Sequence, residues 1–301
     1  MRHHPIVVPC VFLINQDFHT HSTASDGTLT PAELVRRAGE AGVERLALTD
    51  HDTVAGLAEA AGAAAGAGVE LIPGVEISVS WQGHTVHLVG LNVDPADPTL
   101  LRGLARLLEY RGWRAVEIGR RLEKAGIPGG YEGARALAAG ELVGRTHFAR
   151  FLVQEGHARD VREVFKRFLV RGKPGHVPGR WADLQEAVGW IHGAGGVAVV
   201  AHPARYRMTG AKLRRLLGEF REAGGEALEV VSGSHSKEDC RLMARHAREF
   251  GLAASMGSDY HGPENPWLQL GRLPALPAGC RPVWTLFETR KHGAVLSDTS
   301  R

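Results

Sequence analysis

The sequence predicts an α/β fold: a parallel sheet, closed or open, interrupted by an all-helical insertion. Three observations predict it. Apolar runs of β character alternate with helical stretches along both halves of the chain. That rhythm stops between about residues 99 and 180, where every segment reads as helix. Finally, 301 residues with 44% hydrophobic and 23% charged side chains are enough for one large core and too apolar for wholesale disorder.

In chain order, Gln16–Thr20 ends a first strand. Thr30-Pro31-Ala32-Glu33 has the form of a capping box with proline at the first helical position, so a helix runs to about Ala41 and stops at Gly42. A strand at Glu44–Thr49 follows, then an Ala/Gly-rich helix from Thr53 to Gly66 whose small side chains allow close packing on a sheet. Strands are expected at Glu70–Pro73, Glu76–Ser80 and His84–Val93, with Pro73-Gly74-Val75 as a turn. Helices are expected at Leu100–Ala125, Gly133–Ala139, Thr146–Glu155 and Asp160–Val170, separated by turns such as Ile127-Pro128-Gly129-Gly130. A helix at Trp181–His192 and strands at Gly196–Ala201, Ala227–Ser232 and Ala253–Gly257 resume the alternation. The expected division is an N-terminal extension at 1–16, one α/β domain at 17–98 and 181–301, and an inserted helical module at 99–180.

The extension has basic residues ahead of an apolar run, Ile6 to Ile14, but Pro9 interrupts that run and no A-x-A-type cleavage site follows. No apolar run approaches the roughly 18 residues of a membrane span. A cytoplasmic protein is therefore expected. The three cysteines, Cys10, Cys240 and Cys280, are far apart and speak against a disulfide scaffold or a thiolate zinc site. The net charge of +3 conceals an asymmetry: residues 102–180 hold 17 basic and 8 acidic side chains, a net of +9, whereas the rest of the chain holds 19 and 25, a net of −6. A basic module attached to an acidic one suits an anionic substrate.

Sixteen histidines are present, and several fall where a β run ends. His19 and His21 form an H-x-H pair with Asp26 just beyond. His51 sits in Thr49-Asp50-His51-Asp52, Glu76 follows the Pro-Gly pair, and His87 lies on the next strand. His202 ends an apolar run in Ala201-His202-Pro203, and Asp259 and His261 form a D-x-H pair. In a parallel barrel the C-terminal strand ends open on one face, and alternate residues of an extended segment point the same way. Six imidazoles and three carboxylates brought onto one face call for positive charge between them. Nine nitrogen and oxygen ligands suggest two or three divalent ions sharing a carboxylate, with Mn²⁺, Fe²⁺ or Zn²⁺ suited to the donor set.

Asp17-Phe18-His19-Thr20-His21-Ser22, Thr49-Asp50-His51-Asp52, Ala201-His202-Pro203 and Ser258-Asp259-Tyr260-His261 resemble, in order, the motifs of the PHP (polymerase and histidinol phosphatase) family. The resemblance implies a distorted (β/α)₇ barrel with a trinuclear metal centre, commonly manganese. It implies one metal on His19, His21, Glu76 and Asp259, a second on Glu76, His87 and His202, and a third on Asp26, His51 and His261. The helical insertion resembles the branch that hydrolyses nucleoside 3′,5′-bisphosphates and trims short RNA from its 5′ end. The family's first motif normally begins almost at the N-terminus, so the leader before Asp17 suggests a misassigned start.

The expected reaction is phosphoester hydrolysis by a metal-bridging hydroxide with Glu76 as the shared ligand. No P-loop, G-x-S-x-G or strand-following G-x-G-x-x-G competes with it. In Gly144-Arg145-Thr146-His147-Phe148-Ala149-Arg150, which opens a helix, backbone N–H groups and the guanidiniums of Arg145 and Arg150 are placed to grip a phosphate. His147 is a further candidate there, as substrate, metal or proton-transfer residue, and Lys173 in Arg171-Gly172-Lys173-Pro174 is another substrate contact. A metal cluster plus a separate arginine cluster favours two phosphates on one substrate, a nucleotide bisphosphate or a short RNA end, with Trp113, Trp181 and Trp267 available to cap a base. No obligate protein partner is inferred. The alternatives are a histidinol-phosphate-type phosphatase, which needs no basic insertion, and a non-catalytic metal-binding PHP module.

Overall fold

The computed structural model describes residues 14–287, so most of the N-terminal extension, including the apolar run and Cys10, lies outside the described residues. Seven strands follow one another in sheet order: β1 (Gln16–Asp17), β2 (Arg45–Leu48), β3 (Glu70–Trp81), β4 (His84–Leu91), β5 (Val197–Val200), β6 (Ala227–Ser232) and β7 (Ala253–Gly257). The first and last meet beyond their ends. Phe18 N–H donates to Met256 O at 3.0 Å, Asp259 N–H to His19 O at 2.9 Å and His21 N–H to Tyr260 O at 2.9 Å, curling the sheet into a barrel. Gly257 makes this seam possible, because a Cβ there would sit 2.2 Å from the Cβ of His19.

The sheet is mixed rather than parallel. β4 runs antiparallel to both β3 and β5, while the other neighbours are parallel. The two strands expected at 70–73 and 76–80 form one twelve-residue strand, and Pro73-Gly74 is a change of partner instead of a turn. Residues 70–73 pair with β2 and residues 74–81 with β4. Proline withholds a ladder donor at the changeover, and a Cβ on Gly74 would lie 2.8 Å from the Thr49 side chain. Glu76 and His87 therefore sit within strands instead of at their ends.

Helices α1 (Pro31–Glu40), α2 (Leu57–Ala67), α7 (Leu184–Gly193), α8 (Gly210–Glu222) and α9 (Lys237–Glu249) belong to the barrel portion of the chain. The capping box of Thr30 and Glu33 opens α1 as its sequence requires. Trp181 precedes α7, whose cap is Asp183. α8 and α9 were not among the expected helices, although Thr209 and Ser236 cap them by the same chemistry.

Between β4 and α7 lie α3 (Pro98–Lys124), α4 (Gly130–Leu137), α5 (Arg145–Gln154) and α6 (Val161–Val164), the last running into a π turn at Phe165–Leu169. α3 serves two cores. Its first turns bury Leu100, Leu104 and Leu107 among barrel residues, and its last turns bury Ala115, Ile118 and Leu122 in a separate cluster with Phe148, Leu152 and Leu169. Between those stretches the inward stripe of the helix carries Arg111 and Arg114. Among the described residues no helix is long and apolar enough to cross a membrane.

Candidate metal centre

Glu76 is fully buried, and five imidazoles converge on its carboxylate. His87 Nδ1 and His202 Nε2 approach Oε1 at 2.8 and 3.0 Å, and His19 Nε2 approaches the same oxygen at 3.3 Å. His51 Nδ1 and His21 Nε2 lie 2.7 and 3.4 Å from Oε2. Asp259 Oδ1 is 3.3 Å from His21 Nε2 and 3.6 Å from His19 Nε2. Asp26 Oδ1 is 3.2 Å from His261 Nε2 and 3.9 Å from His51 Nε2. All nine side chains singled out in the sequence thus meet in one place.

Each is held there by its own local structure. His19 and His21 point to the centre because Thr20 between them turns the other way, its hydroxyl donating to Ala47 O at 2.7 Å. The loop after β1 is pinned by buried Asp50, which accepts from Ser22 N–H at 2.8 Å, Ser22 Oγ at 2.6 Å and Ser25 Oγ at 2.5 Å. His261 Nδ1–H donates to Asp259 O at 2.8 Å, which leaves Nε2 facing Asp26. Thr146 Oγ donates to Asp26 Oδ2 at 2.8 Å and Arg150 to the Asp26 carbonyl at 3.1 Å, so α5 clamps this carboxylate from outside the barrel. Arg205 occupies Asp259 Oδ2 and leaves Oδ1 to the cluster. Backbone strain accompanies the arrangement, with positive φ at Asp52 (52°), His202 (29°) and Asp259 (58°).

Glu229 completes the cluster and was not singled out from the sequence. Its buried carboxylate takes His19 Nδ1 at 3.2 Å and the backbone N–H of His202. It therefore fixes the ring that offers Nε2 to the centre, the usual role of a carboxylate behind a ligating histidine. The signal was an acid in the apolar strand Ala227–Ser232, every residue of which is buried.

The electrostatics fit a cation. Burial alone would raise the Glu76 carboxyl, but the imidazoles of His87, His51 and His19 outweigh it and hold it well below the usual range. Burial raises Asp26 as well, and His261 and His51 outweigh it in the same way. Burial, with His261 adding to it, pushes His21 down to about 3, and burial takes His87 to about 4; burial would lower His19, His51 and His261 too, but the neighbouring carboxylates outweigh it and raise all three, His261 to about 9. The carboxylates are ionised against protonated rings, and a divalent ion bound there would replace those protons as the counter-charge. Among the described residues, His19 Nε2, His21 Nε2, His51 Nδ1, Asp26 Oδ1 and Glu76 Oε2 are buried with the close approaches above but no well-aligned hydrogen bond. Such atoms cost about 1–3 kcal/mol each when left so. They recur in three groups whose donor atoms lie within 4.8 Å of one another: His19, His21 and Glu76; His51, Glu76 and His87; His21, Asp26, His51 and His261.

Above the cluster is a cleft. Its barrel side is formed by Asp26, His51, His87, His202, Arg205, Asp259 and His261, and its insertion side by Arg111, Arg114, Arg145, Thr146 and Phe165, with Trp181 at the edge. Two of the four guanidiniums are matched: Arg111 to Asp52 at 2.6 Å and Arg205 to Asp259. Among the described residues the other two make no salt bridge, although Asp26 attracts Arg145 from a distance. Buried Arg114 donates to the Val177 carbonyl at 3.2 and 3.4 Å and lies over the Trp181 ring at 5.4 Å, and Arg145 rests on the Phe165 ring at 5.4 Å. Burial, with neighbouring guanidiniums, lowers both, Arg114 to about 9.

The remaining candidates lie elsewhere. His147 is buried within α5, where its Nδ1 accepts the Gly144 N–H at 3.0 Å and closes a cap. Arg150 holds the Asp26 loop, Lys173 is exposed, and none of these three lines the cleft. Arg111, Arg114 and Arg205 do line it and were missed. Arg111 and Arg114 were legible as charges on the inward stripe of an amphipathic helix, a placement that surface arginines do not have.

Comparison with known proteins agrees with this geometry. The PHP domain family matches residues 17–174. A 3′,5′-nucleoside bisphosphate phosphatase of Chromobacterium violaceum is 50% identical over 279 residues, 92% of this chain and 98% of that protein. The 5′-3′ exoribonuclease Rnm of Escherichia coli is 48% identical over 279 residues, 92% of this chain and 95% of its own length. A solved structure from Bifidobacterium adolescentis, provisionally described as a metal-dependent phosphoesterase, superposes with a TM-score of 0.78 at 28% identity, covering 91% of this chain and 96% of that one. A seven-stranded barrel, a nest of imidazoles around one buried glutamate and these likenesses together have one reading: the chain belongs to the PHP family.

Proposed function

We propose that the protein is a metal-dependent phosphoester hydrolase that removes the 3′-phosphate from nucleoside 3′,5′-bisphosphates and shortens RNA from its 5′ end. The observation that carries this is the pairing, across one cleft, of the Glu76 cluster with two guanidiniums that make no salt bridge among the described residues. His19, His21, Glu76 and Asp259 would hold one ion, Glu76, His87 and His202 a second, and Asp26, His51 and His261 a third. His51 would also be within reach of the second ion, because its ligand atom lies within 4.8 Å of those of Glu76 and His87. Manganese is the expected metal, with iron(II) or zinc suited to the same donors. When bound, such ions lower the pKa of water and neutralise charge on phosphoryl oxygens.

The chain's own residues supply the rest. Glu76 would serve more than one ion, since imidazoles approach both of its oxygens. Arg114 and Arg145 bind the phosphate that is not cleaved, and so set the distance from that anion to the scissile phosphorus. Water attacks phosphorus, the P–O3′ bond breaks, and the products are inorganic phosphate and a nucleoside 5′-monophosphate. The protein is expected to act in the cytoplasm without an obligate partner. A monophosphate such as histidinol phosphate would leave Arg114 and Arg145 unmatched.

The test is a panel under Mn²⁺: 3′-phosphoadenosine-5′-phosphate, an aryl phosphate, histidinol phosphate and a 5′-phosphorylated RNA oligomer. The bisphosphate and the RNA should have kcat/KM at least about a hundredfold above the other two, as a charge-assisted contact to a second phosphate implies. Preference for histidinol phosphate would overturn the proposal.

A further inference from the structure

Trp181 borders two depressions. One is the cleft; the other is an open groove that also contains Arg106, Tyr110, Trp113 and Arg180. On Trp181 rest the guanidiniums of Arg111 and Arg114, at 5.0 and 5.4 Å from the ring. The Tyr110 ring meets Trp181 edge-on at 4.9 Å, and Trp113 stacks on Tyr110 at 5.5 Å with 30° between planes. Three aromatic rings thus lead out of the cleft. The row is braced, since the Tyr110 hydroxyl donates to Pro178 O at 2.5 Å. Its outermost member, Trp113, lies off the inward stripe of α3 and is 55% exposed.

We propose that this row is a stacking platform for the nucleotides that follow the 5′-terminal one in a short single-stranded RNA. The inference rests on the hydrolase reading and extends it from the reacting end of the substrate to the following bases. Continuity through Trp181 argues for it, because a chain leaving the cleft on that side meets Tyr110 and Trp113 next. The charge of the groove says how it would bind. Arg106 is held by Glu186 at 3.0 Å in a two-toothed pair, and Glu109 stands opposite Arg180 in composition, so the groove is balanced. Affinity there would come from stacking, which is indifferent to base identity, and only weakly from phosphate contacts. The contribution of Trp113 should accordingly be nearly independent of salt, unlike that of arginines binding phosphate.

The experiment compares the full chain with Trp113→Ala and Trp113→Phe on 3′-phosphoadenosine-5′-phosphate and on a 5′-phosphorylated tetranucleotide, at 50 and 200 mM salt. Binding of a fluorescently labelled tetranucleotide to the metal-free protein supplies a readout that needs no turnover. Trp113→Ala should raise KM for the tetranucleotide about tenfold relative to the bisphosphate and weaken metal-free binding by a similar factor at both salts. Trp113→Phe should keep most of the affinity. Unchanged tetranucleotide KM and binding in Trp113→Ala would overturn the platform, as would a sedimentation change showing that Trp113 joins two copies of the chain. If the parent hydrolyses neither substrate, the hydrolase reading fails; the binding comparison still decides whether the rings contact RNA.

Discussion

The barrel and the helical insertion face each other across one cleft with opposite chemistry, and they hold their side chains in different ways. On the barrel side, the second nitrogen or oxygen of several cluster residues is already occupied: His19 by Glu229, His261 by a carbonyl, Asp259 by Arg205 and Asp26 by Thr146. The insertion side is less constrained: among the described residues Arg145 rests on the Phe165 ring and feels Asp26 only at a distance, and Arg114 meets a carbonyl and an indole. A rigid nest of donors suits ions, whose geometry admits little error, whereas guanidiniums without anionic partners suit an anion that arrives and leaves. On the proposed function, reactivity would reside in the barrel and selectivity in the insertion. Predictions that separate the two halves follow in order of size.

Glu76→Gln strikes the barrel at its centre. Without the shared carboxylate, kcat should fall at least about a thousandfold on every phosphoester, corresponding to the several kcal/mol that bound metal supplies. A fall confined to bisphosphates would show that the division between the halves is misplaced. Arg145→Ala tests the other half: KM for a 3′,5′-bisphosphate should rise about thirtyfold with an aryl phosphate unaffected, as removal of a charge-assisted contact implies. Equal effects on both substrates would contradict the second-phosphate role.

Glu229→Gln should weaken metal binding about tenfold, seen by titration calorimetry, because it loosens the His19 ring without removing a donor from the centre. Unchanged affinity would make Glu229 a packing residue only. The last prediction concerns stability and not the cleft, through His147. Burial, with Arg150 and Arg135 adding and Asp26 opposing, lowers its pKa from 6.5 to about 4. Between those values the unfolded chain binds the extra proton, so stability present above pH 6.5 is lost as pH falls towards 4. His147→Gln keeps an acceptor for the Gly144 N–H and removes the titration. Urea midpoints from pH 7.5 to 4.5 should therefore fall less steeply in the variant; parallel slopes would exclude this contribution.

Much of this site was legible because its residue types are conspicuous by context. H-x-H and D-x-H on extended segments, and a histidine after an apolar run, have few other reasons to recur together. What escaped was whatever depended on pairing in three dimensions. The Pro73-Gly74 pair looks like a turn until β4 is seen to run against β3, which places Glu76 and His87 inside strands. Glu229 was concealed by an apolar strand, and Arg205 by a loop with no pattern of its own. Arg145 was found because it opens a helix beside other polar residues, whereas Arg111 and Arg114 passed as ordinary charge on a long basic helix. Their position on its inward stripe marked them as buried, but the cleft appears only once α3 is seen to bridge two cores.

The central claim is that the nine side chains gathered at Glu76 are a cation site. Elemental analysis of the purified full-length protein after Mn²⁺ loading and desalting tests it directly. Two to three ions per chain, falling to one or none in Glu76→Gln with the fold retained, is the expected result. One ion or none in the parent under the same loading would contradict it.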